Sequence, residues 1–464
     1  MSAAVAAGRA RVAASFLLFL LSMLSAGRAS ASDGTCGACR FFRNNVTGAL
    51  ARSPVAGRCE CFVLYLANRC IASIPDGIFE GLFNTTSLVL SNNELSHGVL
   101  GDGAFIGLTG LQDLLLTGNA LTALPEAILE PVRHTLVKLG LASNRLSSMP
   151  AASFPVLEEM DLTSNSITDA AADLGLRCPR LRKLSLAANQ LTTLPAYAFA
   201  NLSTLEKLNL SSNAIAQLPS AILQGSGQSL TDLDISDNKI STLLPRAFAG
   251  LSALETIYLD HNEIQTLSAG AFSDINAKLR LRIYLSSNQI SHLSPGAFNR
   301  VGDLNLLDLS WNRIRTIDSD ALSGPAFKRV EFLHLTENQI EILPDSVFRS
   351  LAECNTLMLG GNRLTEVSAE LFKGMVQLRT LSLGNNRIAQ LHAGAFDTMS
   401  LSSGGTKERK KIILAKNRLK SMPAGLFKPF KVLLSLFIWL RHMHAALRAC
   451  TSCLTMPSPS INFT

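Results

Sequence analysis

The stretch Leu181-Arg-Lys-Leu-Ser-Leu-Ala-Ala-Asn-Gln-Leu191 is where the fold becomes readable. Leu184 and Leu186 alternate with Ser185, so in an extended strand the two leucines share one face and the serine takes the other. Asn189 stands where the chain must leave that strand. Its side chain carries both donors and an acceptor, which suits it to satisfy backbone groups at the turn and link one coil to the next. The template L-x-x-L-x-L-x-x-N-x-[LI] recurs with its asparagine at Asn93, Asn119, Asn144, Asn165, Asn189, Asn213, Asn238, Asn262, Asn288, Asn312, Asn338, Asn362, Asn386 and Asn417. Most spacings are 24 to 26 residues, with extremes of 21 and 31. Register kept over that length means an internal repeat, and a repeat of this period means a stacked array.

One such strand cannot hide its leucine face alone. Parallel strands about 4.8 Å apart bury it as one continuous core, each coil covering its neighbour. A second ladder lies ten residues after the asparagine, at Phe154, Phe199, Phe248, Phe272, Phe298, Phe348, Phe372, Phe396 and Phe427. Proline often falls six after it, as at Pro125, Pro150, Pro195, Pro219, Pro344 and Pro423. The shared period marks an aromatic spine and a chain bend on the return side of each coil. Over residues 82–427 these motifs resemble the leucine-rich repeat family, and the return stretch L-P-x-x-[AL]-F is similar to its extracellular, "typical" 24-residue subclass. The resemblance implies an α/β fold. The implied architecture is a leucine-rich-repeat solenoid of about 14 repeats, curved like a horseshoe, with parallel strands on the concave face and an irregular or 3-10 convex side.

The ends of the chain differ from this middle. Arg9 and Arg11 precede the apolar run Val12–Leu24, and Ala29-Ser30-Ala31 offers a small-residue cleavage site, so residues 1–31 read as a secretory signal. Residues 32–81 hold Cys36, Cys39, Cys59, Cys61 and Cys70, a density that in an exported chain predicts a disulfide-stapled cap. Five is odd, so one thiol is left over or pairs elsewhere. Cys59-x-Cys61-x8-Cys70, followed by Ser73-Ile74-Pro75, is similar to the family's cysteine-rich N-cap, which has one cysteine before the C-x-C pair where this chain has two. Residues 428–464 read as an irregular or degenerate tail, because the C-x-C pair of the family's C-terminal cap is missing. Asn45, Asn84, Asn201, Asn209 and Asn462 begin N-x-[ST] sequons, candidate glycan sites in an exported protein. Past the signal, the strongest apolar run, Val432–Leu440, is shorter than the roughly 20 residues a membrane span needs.

Charge narrows the function. The formal net charge is +7, yet the 31-residue signal carries three arginines without an acid and the tail four bases without an acid, so the body is neutral. A basic groove for nucleic acid is therefore not expected. The run Lys407, Arg409, Lys410, Lys411, Lys416, Arg418 and Lys420 is a candidate site for sulfated glycans. The motifs G-x-S-x-G, H-E-x-x-H, G-x4-G-K-[ST] and G-x-G-x-x-G are absent, so no enzyme, cofactor or metal centre is expected. Outward strand positions offer a binding face instead. Of two tryptophans and four tyrosines in the chain, Trp311, Tyr258 and Tyr284 fall on neighbouring repeats. With Phe332 and His334 they form the expected protein-binding patch, since such aromatics dominate binding hot spots. Glu158, Glu159, Asp161, Asp232, Asp234, Asp237 and Asp260 make an acidic zone beside it, suited to steering a basic partner. The sequence reads as an extracellular protein-binding scaffold. The alternative is the truncated ectodomain of a transmembrane leucine-rich-repeat signalling receptor.

Overall fold

The structure, a computed structural model, describes residues 34–54, 59–96, 98–219, 222–223, 225–400, 410–424, 426 and 433–437. The signal sequence, Lys407, Arg409, Phe427, Cys450, Cys453 and Asn462 lie outside the described residues.

The chain forms two compact units. One runs to Leu121 and includes Glu126–Gly140; the other holds Thr122–Pro125 and everything from Leu141 onward. In the first, the strands Cys39–Arg43 and Leu50–Ser53 pair antiparallel, with Thr35–Cys36 at the edge. Disulfides Cys36–Cys61 and Cys39–Cys59 tie this hairpin to the segment entering the first parallel strand, Val63–Tyr65. Cys70 forms no disulfide among the described residues and is exposed, so it is the thiol left over from the five. Parallel strands Ser87–Val89, Asp113–Leu115 and Lys138–Gly140 follow in register.

The second unit repeats this plan from Glu159–Asp161 to Lys410–Ile413, every neighbouring pair parallel. Leu184 sits opposite Leu208, and Leu208 opposite Leu233, so the leucine columns are stacked as the template requires. These leucines are fully buried or nearly so. A further strand, Leu433–Phe437, pairs parallel with Lys410–Ile413 beyond the last template asparagine. Both units are therefore parallel-strand solenoids. Helix is scarce among the described residues, with four-residue α-helices at Glu126–Leu129 and Leu174–Arg177 and 3-10 turns at Pro325–Arg329 and Asp397–Ser400.

The asparagine ladder does what its chemistry dictates. Each Nδ2 from Asn93 to Asn417 donates to the carbonyl three residues before it. Asn189 also donates to Leu162 O of the preceding coil at 2.9 Å and accepts from Ile167 N at 3.0 Å. One residue earlier the backbone turns left-handed in every repeat: φ lies between +52° and +71° from Asn92 to Lys416. Most residues there are Ser, Asn, Asp, Ala or Gly, small groups whose steric penalty is low.

The phenylalanine ladder forms stacked spines. Phe248, Phe272 and Phe298 lie 5.5 and 5.2 Å apart between ring centres, and Phe348, Phe372 and Phe396 are 6.2 Å apart at each step. Leu322 breaks the sequence ladder; the gap is filled by Phe327 from the 3-10 turn, set edge-on to Phe298. Two strands are much longer than the three-residue norm. Ala277–Tyr284 and Gly302–Asp308 are eight and seven residues long and shift register near Leu281. Gly302 has φ +94°, and a Cβ there would meet Ala277 O at 2.3 Å, so only glycine lets these strands close up.

Candidate functional site

The outward sheet face of the second unit is built from positions that alternate with the buried leucines. Asp234, Tyr258, Tyr284, Asp308 and His334 are paired in register on successive strands, with Met358 beyond. The Tyr258 and Tyr284 rings stack at 4.9 Å between centres and 12° between planes. Burial pushes the Tyr258 hydroxyl up to about 12, helped by Tyr284, Asp234 and Asp232 and opposed by Arg282. Tyr258 therefore stays a neutral phenol across the physiological range.

The remaining patch residues are spread along the face rather than gathered into one cluster. Asp308 lies between Tyr284 and His334, whose Nδ1 is 3.9 Å from the Asp308 carboxylate. Burial alone would raise the Asp308 carboxyl, but His334 and the amide and hydroxyl of Ser310 hold it below its usual range. Phe332 shares the outward side of its strand with His334 and is half-buried. Trp311 occupies the left-handed turn after Asp308, at φ +57°, with 51% of its surface exposed. It makes no ring contact with another aromatic among the described residues.

The acidic zone divides into two kinds of residue. Arg182 bridges Glu206 at 2.6 Å and Glu158 at 3.5 Å, Lys183 holds Glu159 at 2.7 Å, and Lys207 lies 3.3 Å from Asp232. These carboxylates are matched across coils and contribute little net field. Asp161, Asp234 and Asp308 accept the amide two residues on, at 3.0, 3.0 and 2.9 Å, and so brace the strand exit. Asp237 and Asp260 have neither role: no ion pair reaches either among the described residues. Burial, with Asp234 close by, pushes Asp260 up to about 6, although His261 pulls the other way. Burial raises Asp161, Asp234 and Asp237 as well.

Neither the left-handed position nor the ion-pair ladder was singled out from sequence. The signal was present, since the residue before each asparagine is usually small, which makes His261, Trp311, Glu337 and Lys416 stand out. In the basic run, Lys410 is buried to 5% exposure and donates to Leu378 O at 2.9 Å, so it belongs to the coil's structure rather than to an anion surface. Lys411, Lys416, Arg418 and Lys420 are exposed. Asn45, Asn84 and Asn201 are exposed; Asn209 is half-buried at the sheet centre, its Oδ1 accepting from the Ser211 amide and hydroxyl at 2.9 and 2.7 Å. No grouping of metal-ligating side chains occurs among the described residues. No helix among them is long and apolar enough to cross a membrane.

Comparison with known proteins agrees with this architecture. The leucine rich repeat family model matches residues 63–121, 134–191, 179–226, 228–281, 281–340, 328–388 and 353–403. The chain belongs to the leucine-rich repeat family. Among curated relatives it is 34% identical to chicken lumican over 110 residues, 23% of this chain and 31% of lumican. It is 32% identical to mouse keratocan over 121 residues, 25% of this chain and 33% of keratocan. The matched stretches thus span about a third of these relatives' own lengths. Among solved structures, a leucine-rich-repeat protein of Leptospira interrogans superposes with a TM-score of 0.58 at 25% identity, covering 89% of this chain and 97% of that one. The Drosophila Toll–Spätzle complex gives a TM-score of 0.61 at 23% identity, covering 76% of this chain and 50% of that one, and supports the fold.

Proposed function

We propose that this protein is an extracellular recognition scaffold that binds another protein through the outward sheet face around Tyr258, Tyr284, Trp311, Phe332 and His334. The observation that carries the reading is Trp311. The bulkiest side chain of the ladder is held in a left-handed turn that most other repeats fill with small residues, and half of its surface still faces solvent. Burial does not repay that backbone strain, whereas partner binding would. Rigid, in-register strands hold the neighbouring tyrosines in place, which lowers the entropy lost on association. Recognition, not turnover, is the activity.

Export rests on the signal-like residues 1–31, the two cap disulfides and the exposed sequons. A free secreted protein is the first reading, and the ectodomain of a transmembrane signalling receptor built from the same repeats is the alternative. The test is a binding screen of the full secreted chain against an array of extracellular ectodomains. Each hit is re-measured with a Tyr284→Ala/Trp311→Ala double variant. Loss of affinity by about tenfold or more with an unchanged melting temperature supports the patch. Unchanged affinity in a well-folded variant removes it.

A further inference from the structure

The charge around the tyrosine pair says what kind of partner fits there. The 4.9 Å separation of the stacked rings matches the spacing of adjacent strands, so the stack runs along the sheet. Each ring therefore turns its second face toward the next coil, Tyr258 toward that of Asp234 and Tyr284 toward that of Asp308. Asp260, two residues after Tyr258 and outward like it, adds a carboxylate, and Asp237 lies in the coil before. Nearby Glu158, Glu159, Glu206 and Asp232 are matched by Arg182, Lys183 and Lys207, whereas no ion pair among the described residues reaches Asp234, Asp237 or Asp260; Arg282, on the strand of Tyr284, is the opposing positive charge beside Tyr258. An aromatic face bordered by unpaired carboxylates attracts a cation both through the ring quadrupole and through direct charge. The half-buried setting weakens screening there.

We propose that this face binds an extended, arginine- or lysine-bearing segment of a protein partner, its cationic side chain seating on the Tyr258–Tyr284 stack against Asp237 and Asp260. The inference rests on the protein-binding reading above and names the partner's chemistry. An extended segment fits because the outward residues form a shallow array across adjacent strands. Arginine fits best, since its planar guanidinium can lie on a tyrosine face while its N–H groups reach a carboxylate. Tyr258 remains neutral and does not repel the cation, and burial already makes ionised Asp260 unfavourable without a counter-charge.

The test uses the full secreted chain and a fluorescein-labelled decapeptide of alternating glycine and arginine, with an alternating glycine–glutamate peptide as control. Binding is read by anisotropy at about 0.15 M salt, where non-local charge effects are largely screened. The expected result is saturable binding of the arginine peptide alone, weakened about tenfold or more by Tyr258→Leu/Tyr284→Leu and separately by Asp237→Asn/Asp260→Asn. Thermal melts confirm that each variant folds. If the carboxylate variants weaken binding and the tyrosine variants do not, the effect is diffuse charge and the proposal is overturned. If the arginine peptide fails to bind while an ectodomain hit still depends on Tyr284 and Trp311, the basic-segment inference falls and the protein-binding reading stands. If neither binds, both fall.

Discussion

At Trp311 the sequence and the backbone disagree, and the disagreement is informative. A left-handed conformation costs a non-glycine residue about 1–2 kcal/mol, least for asparagine. Trp311→Asn is therefore expected to raise stability by about 1 kcal/mol, read as a higher urea midpoint, while weakening partner binding. A fall in stability would show that Trp311 packs structurally. Asp260 makes a related prediction through pH. Asp234 and Asp237 face it from the preceding coil and His261 from its own, while the following coil presents Ser286 and Ser287. Its folded-state value of about 6 lies above the ordinary carboxyl value of 3.8, so the folded chain holds a proton that the unfolded chain has lost. That contribution to stability is complete below 3.8 and disappears as pH rises through about 6. Asp260→Asn should therefore stabilise the protein at pH 7.5 by on the order of 1 kcal/mol, and the advantage should vanish near pH 4. A pH-independent difference between the two melting curves would contradict this. Trp311 and Asp260 were both visible in the sequence as outward residues. Their strain and burial were not, because φ and solvent access depend on how neighbouring coils close.

The coil is the element, and its columns were legible because the template fixes which side chains face inward. Leu184, Leu208 and Leu233 stack as the alternation predicts, and Asn189 ties its coil to the previous one. Asn238 makes the same contacts, donating to Leu210 O at 3.0 Å and accepting from Ile215 N at 3.0 Å. Asn238→Ala should leave several buried backbone groups unpaired and destabilise the second unit by about 2–4 kcal/mol, measured by urea unfolding. An effect below half of that would mean water replaces the amide. Phe272, stacked on both Phe248 and Phe298, should cost about 3–5 kcal/mol when cut to alanine. Spacing could not reveal everything at this level. Five cap cysteines allow many pairings, and only the hairpin geometry joins Cys36 to Cys61 and Cys39 to Cys59. The ion-pair ladder through Arg182 was equally hidden, since residues a coil apart in sequence become neighbours only when the repeats stack in register.

For the whole molecule, charge separates general from particular binding. The chain's net +7 arises at its ends, while the face around Tyr258 carries unmatched carboxylates, so bulk charge is a poor guide to its partner. Family membership establishes the scaffold, and the partner must be read from the side chains mounted on it. The most direct measurement is hydrogen–deuterium exchange of the full chain with and without a bound ectodomain found by screening. Protection is expected in the strands Thr256–Tyr258 and Ala277–Tyr284 and in the turn at Trp311, with the phenylalanine-bearing return turns unchanged. Protection confined to the return turns, with those strands exchanging as in the free protein, would contradict recognition through the sheet face.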